Sequence, residues 1–211
     1  MTAVIAIQPQ ADSEAGVLAY KIGLSDGSVF VIKTSYLSSI YQDMAVITRN
    51  RVLSDEEEEA FRFAGACFEA EQSALRLTAR AEQTGFGLTA KLKRRGHCSE
   101  AVQAVVSRLK SLEILSDSRY ARLWLWSRLS RKEESPRRLI TALCSRGIDR
   151  SVAGEALKTV LTFERELNVL KRYMKKNHFS ISNIKKSTLQ YEGFSAEVIQ
   201  SLWEDYEHAE G

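Results

Sequence analysis

Proline is nearly missing from this chain, with two, Pro9 and Pro136, in 211 residues. Proline removes a backbone donor and clashes inside a helix, so so few of them leave room for long helices. Cysteine is sparse as well. Cys67, Cys98 and Cys144 are odd in number and far apart, and no C-x-x-C pair is present. That excludes a disulfide framework and gives no zinc signature, so buried free thiols are expected. The three histidines, His97, His178 and His208, show neither the His-x-x-x-His nor the Glu-x-x-His spacing of a helical metal site. There is no Gly-x-x-x-x-Gly-Lys-Ser/Thr phosphate loop and no Gly-x-Ser-x-Gly elbow. Gly85-Phe-Gly87 opens a helix after another helix rather than after a strand, which removes a dinucleotide role. His97 and Cys98 are adjacent, so they face each other poorly, and no third group orients them. The inventory argues against an enzyme and calls for no cofactor. No apolar run approaches a membrane span, and Met1-Thr-Ala-Val4 lacks a basic leader, so a cytoplasmic, reducing location is expected.

What is present is ordinary for a folded protein: 44% hydrophobic and 27% charged residues. The net charge is only +3, but it is unevenly spread. Residues 1–60 hold 4 basic and 9 acidic side chains, and residues 71–150 hold 17 and 8. A basic middle between acidic or neutral ends suits a polyanion or an acidic protein surface; a solvated helical face is the plain alternative.

Residues 1–15 have no clear period and read as a loose arm. Two β-rich runs, Val17–Leu24 and Val29–Thr34, then flank Asp26-Gly27, a strong signal for a hairpin. A hairpin alone is marginal in water and must pack or pair further. From Ser54 the hydrophobic period becomes helical. Ser54-Asp-Glu-Glu57 reads as a capping box, with acids suited to the positive end of the helix dipole.

An internal repeat follows. Leu92-Lys-Arg-Arg-Gly96, Leu143-Cys-Ser-Arg-Gly147 and Leu189-Gln-Tyr-Glu-Gly193 share Leu, three residues and Gly. Each glycine sits where a helix must stop. Ser99, Asp149 or Ser195 follows as the expected cap of the next helix. That helix turns Val102, Val105, Val106 and Leu109, then Val152, Ala156 and Leu157, then Val198, Ile199 and Leu202 to one face. Helices upstream, Ala70–Ala81, Ser118–Leu129 and Glu164–Met174, complete three units of three. Short helices cannot bury an apolar face alone and must stack. The expected fold is all-α, an elongated curved array of three tandem three-helix repeats with an N-terminal β-hairpin extension. Its segments are 1–53 (arm and hairpin), 54–114, 115–162 and 163–211. Leu123, Trp126 and Tyr120 are expected to face the core; Trp124 is either partly exposed as a contact or, on the preferred reading, packed in the core as well, and Trp203 is expected in the core of the third unit.

The main functional signal is basic: Lys93, Arg94 and Arg95, then Arg119, Arg122 and Arg128, then Arg131, Lys132, Arg137, Arg138, Arg146 and Arg150. Arginine dominates, and its planar fork suits phosphate and carboxylate alike. Lys93, Arg94 and Arg95 also fit a helix C-terminus, and Arg76 and Arg80 read as solvated face.

Leu115-Ser-Asp-Ser-Arg119-Tyr-Ala-Arg122 resembles the Asp-Asp-x-Arg-Phe/Tyr-Ala hallmark of the RecX family. Ser135-Pro-Arg-Arg-Leu-Ile-Thr-Ala-Leu-Cys-Ser-Arg-Gly-Ile148 resembles the stretch that follows it, and the tandem three-helix plan is also the family's. The resemblance spans residues 60–208. It departs at Ser116 in place of the first Asp, at Ser135-Pro136 in place of a glycine, and at Gln83-Thr-Gly-Phe-Gly87 in place of an Arg-Ser pair. The resemblance implies a regulator that binds the RecA recombinase filament on single-stranded DNA. It implies inhibition of filament growth, ATP hydrolysis, strand exchange and coprotease activity. No catalytic residue, cofactor or membrane contact is implied, and a monomer is expected; weak direct DNA binding is compatible with it. By the motif match Arg119, Tyr120 and Arg122 are carried over, Arg119 as either a contact or a structural pin. The rival reading is a stand-alone DNA-binding protein with helix-turn-helix-like units, separated by tight, salt-sensitive affinity for naked DNA. A helical adaptor acting through the hairpin is a third.

Overall fold

The computed structural model describes residues 2–11, 18–37 and 47–210. The contacts divide it into two compact units. One holds the N-terminal part through Glu82 together with Leu88–Leu115; the other holds Gln83–Gly87 and the chain from Ser116 onward.

In the first unit three antiparallel strands lie in the order β1 (Val4–Ala11), β2 (Leu18–Leu24), β3 (Val29–Lys33). The hairpin forms as expected: Gly27 takes φ +86, and the Asp26 carboxylate accepts from the Ser28 N–H at 2.8 Å. Val17 and residues 12–15 lie outside the described residues. Val4–Ala11 overturns the expectation of a loose arm. It pairs with β2 from Val4↔Leu24 to Ala11↔Leu18 and so supplies the third strand that a lone hairpin needs. Pro9 hid it, because proline argues against a strand, yet an edge strand tolerates it. A bridge at Ala3↔Val52, with the Val4 N–H donating to the Arg51 carbonyl at 2.9 Å, ties this region to the start of α1.

Helix α1 (Asp55–Thr78) starts at the capping box read from the sequence, with Ser54 and Glu57 bonded reciprocally. Its 24 residues run for about 36 Å. Its first half packs Phe61 and Ala64 on Val4, Ile22, Leu24 and Ile32 of the sheet. The second half packs Cys67, Ala70 and Ala74 on α2 (Gly85–Arg94) and α3 (Ser99–Ser111), through Leu92, Val102, Val105 and Leu109.

Between these two apolar clusters lies a buried polar one. Lys33 of β3 and Glu71 of α1 pair at 3.1 Å, with their side chains 9% and 5% exposed. The Tyr36 ring carries the Arg108 guanidinium 5.6 Å from its centroid. Burial, and then the nearby Glu71 carboxylate, hold the Tyr36 phenol protonated well above its usual range. Among the described residues, the Tyr36 hydroxyl, Glu71 Oε2 and Arg108 Nε close no hydrogen bond.

The second unit holds α4 (Asp117–Leu129), α5 (Pro136–Cys144), α6 (Arg150–Val160), α7 (Phe163–Lys176), α8 (Lys186–Tyr191) and α9 (Ala196–Glu210) around one core. Helix α4 corrects an expectation. Ala121, Leu125 and Leu129, spaced by four, are its buried residues, and Tyr120 and Trp124 pack partly against the core. Leu123 and Trp126 point outward, 52% and 50% exposed. Leu-Trp-Leu-Trp places apolar groups all round the helix, so periodicity could not choose the inward face. Trp203 packs against the core as expected.

The three repeated stops are the same device. His97, Ile148 and Phe194 each donate their N–H to the carbonyl of the Leu five residues earlier, Leu92, Leu143 and Leu189. Gly96, Gly147 and Gly193 have φ of +89, +77 and +90 and donate to the carbonyl three residues back. This is the Schellman pattern, and each of the three leucines is fully buried. Asp149 caps α6 through the Ser151 N–H, and the Ser195 hydroxyl accepts from the Val198 N–H. Ser99 does not cap α3; Cys98 holds that position, without a side-chain bond.

The thiols differ accordingly. Cys67 is fully buried, and burial, then the Cys98 and Glu71 charges, push it up to about 12. Cys98 is exposed, against the expectation of buried thiols, because the turn that starts α3 faces solvent. An aromatic disulfide reagent at pH 8 should titrate one thiol of the native protein quickly, and Cys98→Ser should remove that phase. Reaction of Cys67 at the rate of Cys98 would refute this reading.

Candidate functional site

The segment that departs from the family pattern at Gln83–Gly87 docks on the second unit, to which it belongs. Asp117 Oδ1 accepts from the Gly85 N–H at 2.8 Å, so the second hallmark acid caps the start of α2. The Thr84 hydroxyl accepts from the Gly87 N–H at 2.9 Å and donates to the Arg146 carbonyl at 3.0 Å. Phe86 lies over Gly147. Ser116, which stands in place of the hallmark's first Asp, caps α4 by accepting from the Arg119 N–H at 3.2 Å. Ser135, fully buried, caps α5, bonds to the Glu192 carboxylate, and puts Pro136 in the first turn, where a missing donor costs nothing.

The basic residues fall into two groups. Arg128 and Arg146 are used internally. Arg128 grips Glu134 with two hydrogen bonds of 2.9 and 2.6 Å, and this fork holds the Glu134 carboxyl below its ordinary value. The Arg128 and Arg146 guanidiniums lie 5.5 and 4.7 Å from the Trp124 ring centroid, and Arg146 also bonds to the Ala142 carbonyl. Arg119 is half-buried. The rest are exposed: Arg122, Arg131, Lys132, Arg137, Arg138 and Arg150 in the second unit, and Lys93, Arg94 and Arg95 at the end of α2 in the first. Arg122 is held by Ser118 at 2.9 Å, and Arg137 stacks 3.9 Å from the ring centroid of Tyr191, itself 67% exposed. Arg137, Arg138 and Glu192 line one shallow hollow beside α5.

A family model described as RecX, second three-helix domain, matches residues 116–157, which cover α4, α5 and most of α6. Regulatory protein RecX of Treponema pallidum (strain Nichols) is 35% identical over 123 residues, 58% of this chain and 75% of that protein. The chain belongs to the RecX family. Regulatory protein RecX of Caldanaerobacter subterraneus subsp. tengcongensis is 30% identical over 135 residues, 63% of this chain and 68% of that protein. The fold is similar to a crystal structure of regulatory protein RecX, with a TM-score of 0.64 at 19% identity over 95% of this chain and 98% of that one. It is also similar to RecX from Lactobacillus salivarius, with a TM-score of 0.52 at 20% identity over 66% and 96%.

Two arginines of α7, Arg165 and Arg172, were absent from the basic set read in the sequence. They flank the exposed Trp126 of α4. The signal that could have found them is the strong amphipathicity of Phe163–Lys176 beside an outward Trp126, but the misread face of α4 concealed it. No helix among the described residues is long and apolar enough to cross a membrane.

Proposed function

We propose that this RecX-family chain regulates RecA recombinase by binding its filament on single-stranded DNA and inhibiting filament growth. With growth go ATP hydrolysis, strand exchange and coprotease activity. The protein acts by binding, as a cytoplasmic monomer, with no catalytic residue. The observation that carries this reading is membership of a family of regulatory proteins, whose second three-helix domain matches residues 116–157, the stretch that bears Arg122, Arg131, Lys132, Arg137, Arg138 and Arg150. Exposed arginines on short helices suit a partner surface built of phosphates and carboxylates. Lys93, Arg94 and Arg95 add positive charge from the first unit. Arg128 and Arg146 contribute by holding Trp124 and Glu134, and Arg119 by position.

The test is DNA-dependent ATP hydrolysis by the cognate recombinase, with the protein added after filaments form. Hydrolysis should fall at sub-stoichiometric protein. Arg131→Glu/Arg137→Glu/Arg138→Glu should raise the half-inhibitory concentration about tenfold or more, since each reversed rim charge removes attraction and adds repulsion. Unchanged hydrolysis together with tight, salt-sensitive binding to naked DNA would transfer the conclusion to a stand-alone DNA-binding protein.

A further inference from the structure

The outward face of α4 is not a featureless surface. Trp126 opens onto a groove between α4, α6 and α7, of about 170 Å³, floored by Leu129, Val160 and Val169. That is below the roughly 300–1,000 Å³ usual for a small-molecule site, and it suits one or two bulky side chains of a chain laid across it. Two arginines flank it. Arg165 stacks 3.7 Å from the Trp126 ring centroid and donates to the Val160 carbonyl at 3.0 Å. Arg172 donates to the Leu129 carbonyl at 2.8 Å. Both are thus aimed and held by neutral carbonyls, and among the described residues neither is paired with a carboxylate. Two acids that follow α4 are engaged elsewhere, Glu134 with Arg128 at 2.6 Å and Glu133 with Lys176 at 3.6 Å.

We propose that this groove is a docking site for an acidic segment of a protein partner that inserts one large apolar side chain beside Trp126 and sets its carboxylates on Arg165 and Arg172. The inference deepens the regulatory reading by naming a contact on the regulated protein. Pre-aimed guanidiniums with unspent charge next to a half-exposed tryptophan are the composition of an interface anchor. A nucleic acid strand fits less well. The floor is aliphatic, and a base stacks on an aromatic face, whereas this tryptophan already has one face under a guanidinium.

The experiment uses the full chain and fluorescein-labelled nonapeptides with a central Phe or Ala flanked by Asp or by Lys, read by fluorescence anisotropy. The Phe–Asp peptide should bind at least tenfold more tightly than the Ala–Asp and Phe–Lys peptides. Trp126→Ala, Arg165→Glu and Arg172→Glu should each weaken it tenfold or more, and Arg76→Glu, on the first unit, should leave it unchanged. Trp126→Phe and Arg165→Gln, which disturb packing less, should fall between wild type and the severe variants. No preference for the Phe–Asp peptide, or a preference that survives Arg165→Glu and Trp126→Ala, overturns the proposal. So does loss of oligo(dT) binding in these variants with peptide binding intact, which would make the groove a nucleic-acid contact. The assay contains no recombinase, so its failure leaves the filament reading standing, and failure of the ATPase test leaves the peptide result standing.

Discussion

Glu71→Ala is expected to destabilise the first unit by about 3–5 kcal/mol, the range for breaking a buried ion pair by removing one partner. The side chain is 5% exposed and faces Lys33 at 3.1 Å, so its loss removes the buried carboxylate that compensates an ammonium itself 9% exposed. The pair also joins β3 to α1, where the apolar clusters of sheet and helices leave a polar seam. Lys33→Met/Glu71→Leu, which removes both charges while keeping volume, should recover most of the loss, because the desolvation cost disappears with the charges. Urea unfolding followed by circular dichroism checks both variants. All three tryptophans, Trp124, Trp126 and Trp203, lie in the second unit. Their emission midpoint should therefore move less than the dichroism midpoint. A Glu71→Ala cost below about 1 kcal/mol, the level of a surface pair, would show that the seam is not a buried ion pair in solution.

Gly147→Ala should cost about 2–5 kcal/mol and should shift the tryptophan transition. Two effects add. A left-handed backbone costs an alanine roughly 1–2 kcal/mol, and Gly147 has φ +77. A new Cβ would also sit 2.2 Å from Phe86 Cβ and 2.4 Å from Phe86 Cγ, and forcing atoms into filled space typically costs about 1–3 kcal/mol more. Phe86 is 63% exposed, but the closest atom is its Cβ, which cannot swing away without moving the start of α2. Gly96→Ala is the internal control. It shares the motif and has φ +89, but nothing lies within 4 Å of the added carbon, so only the backbone cost of about 1–2 kcal/mol applies. Equal free-energy losses for the two variants, each read by circular dichroism, would mean that Phe86 does not rest on Gly147 in solution.

That contrast also marks where sequence reasoning stops. The stops at Gly96, Gly147 and Gly193 were legible because a helix that ends in a Schellman turn needs a left-handed residue, and that need is local. The capping box at Ser54 and the turn at Gly27 were legible for the same reason. Strand β1 was not, because an edge strand is defined by its neighbour, and Pro9 spoils the local pattern.

The candidate site divides in the same way. Its richness in arginine could be counted along the chain, as could the hallmark around Arg119. Which arginines remain available could not. Arg128 and Arg146 are spent on Glu134 and Trp124, partnerships that the folding of the second unit sets. Arg165 and Arg172 acquire meaning only because Trp126 faces out. A helix with apolar groups on every side offers several faces of similar hydrophobicity, and packing against α6 selects among them.

By itself, then, the sequence determined the helical repeats with their glycine stops, because capping, turn and periodicity signals are short-range, and its hallmark residues pointed to the family. Only the tertiary structure decided which face of α4 is buried, that Glu71 meets Lys33 across 38 positions, and that Arg128 meets Glu134 while Arg165 meets Trp126. Those outcomes depend on pairs distant in sequence, whose energies no local pattern records.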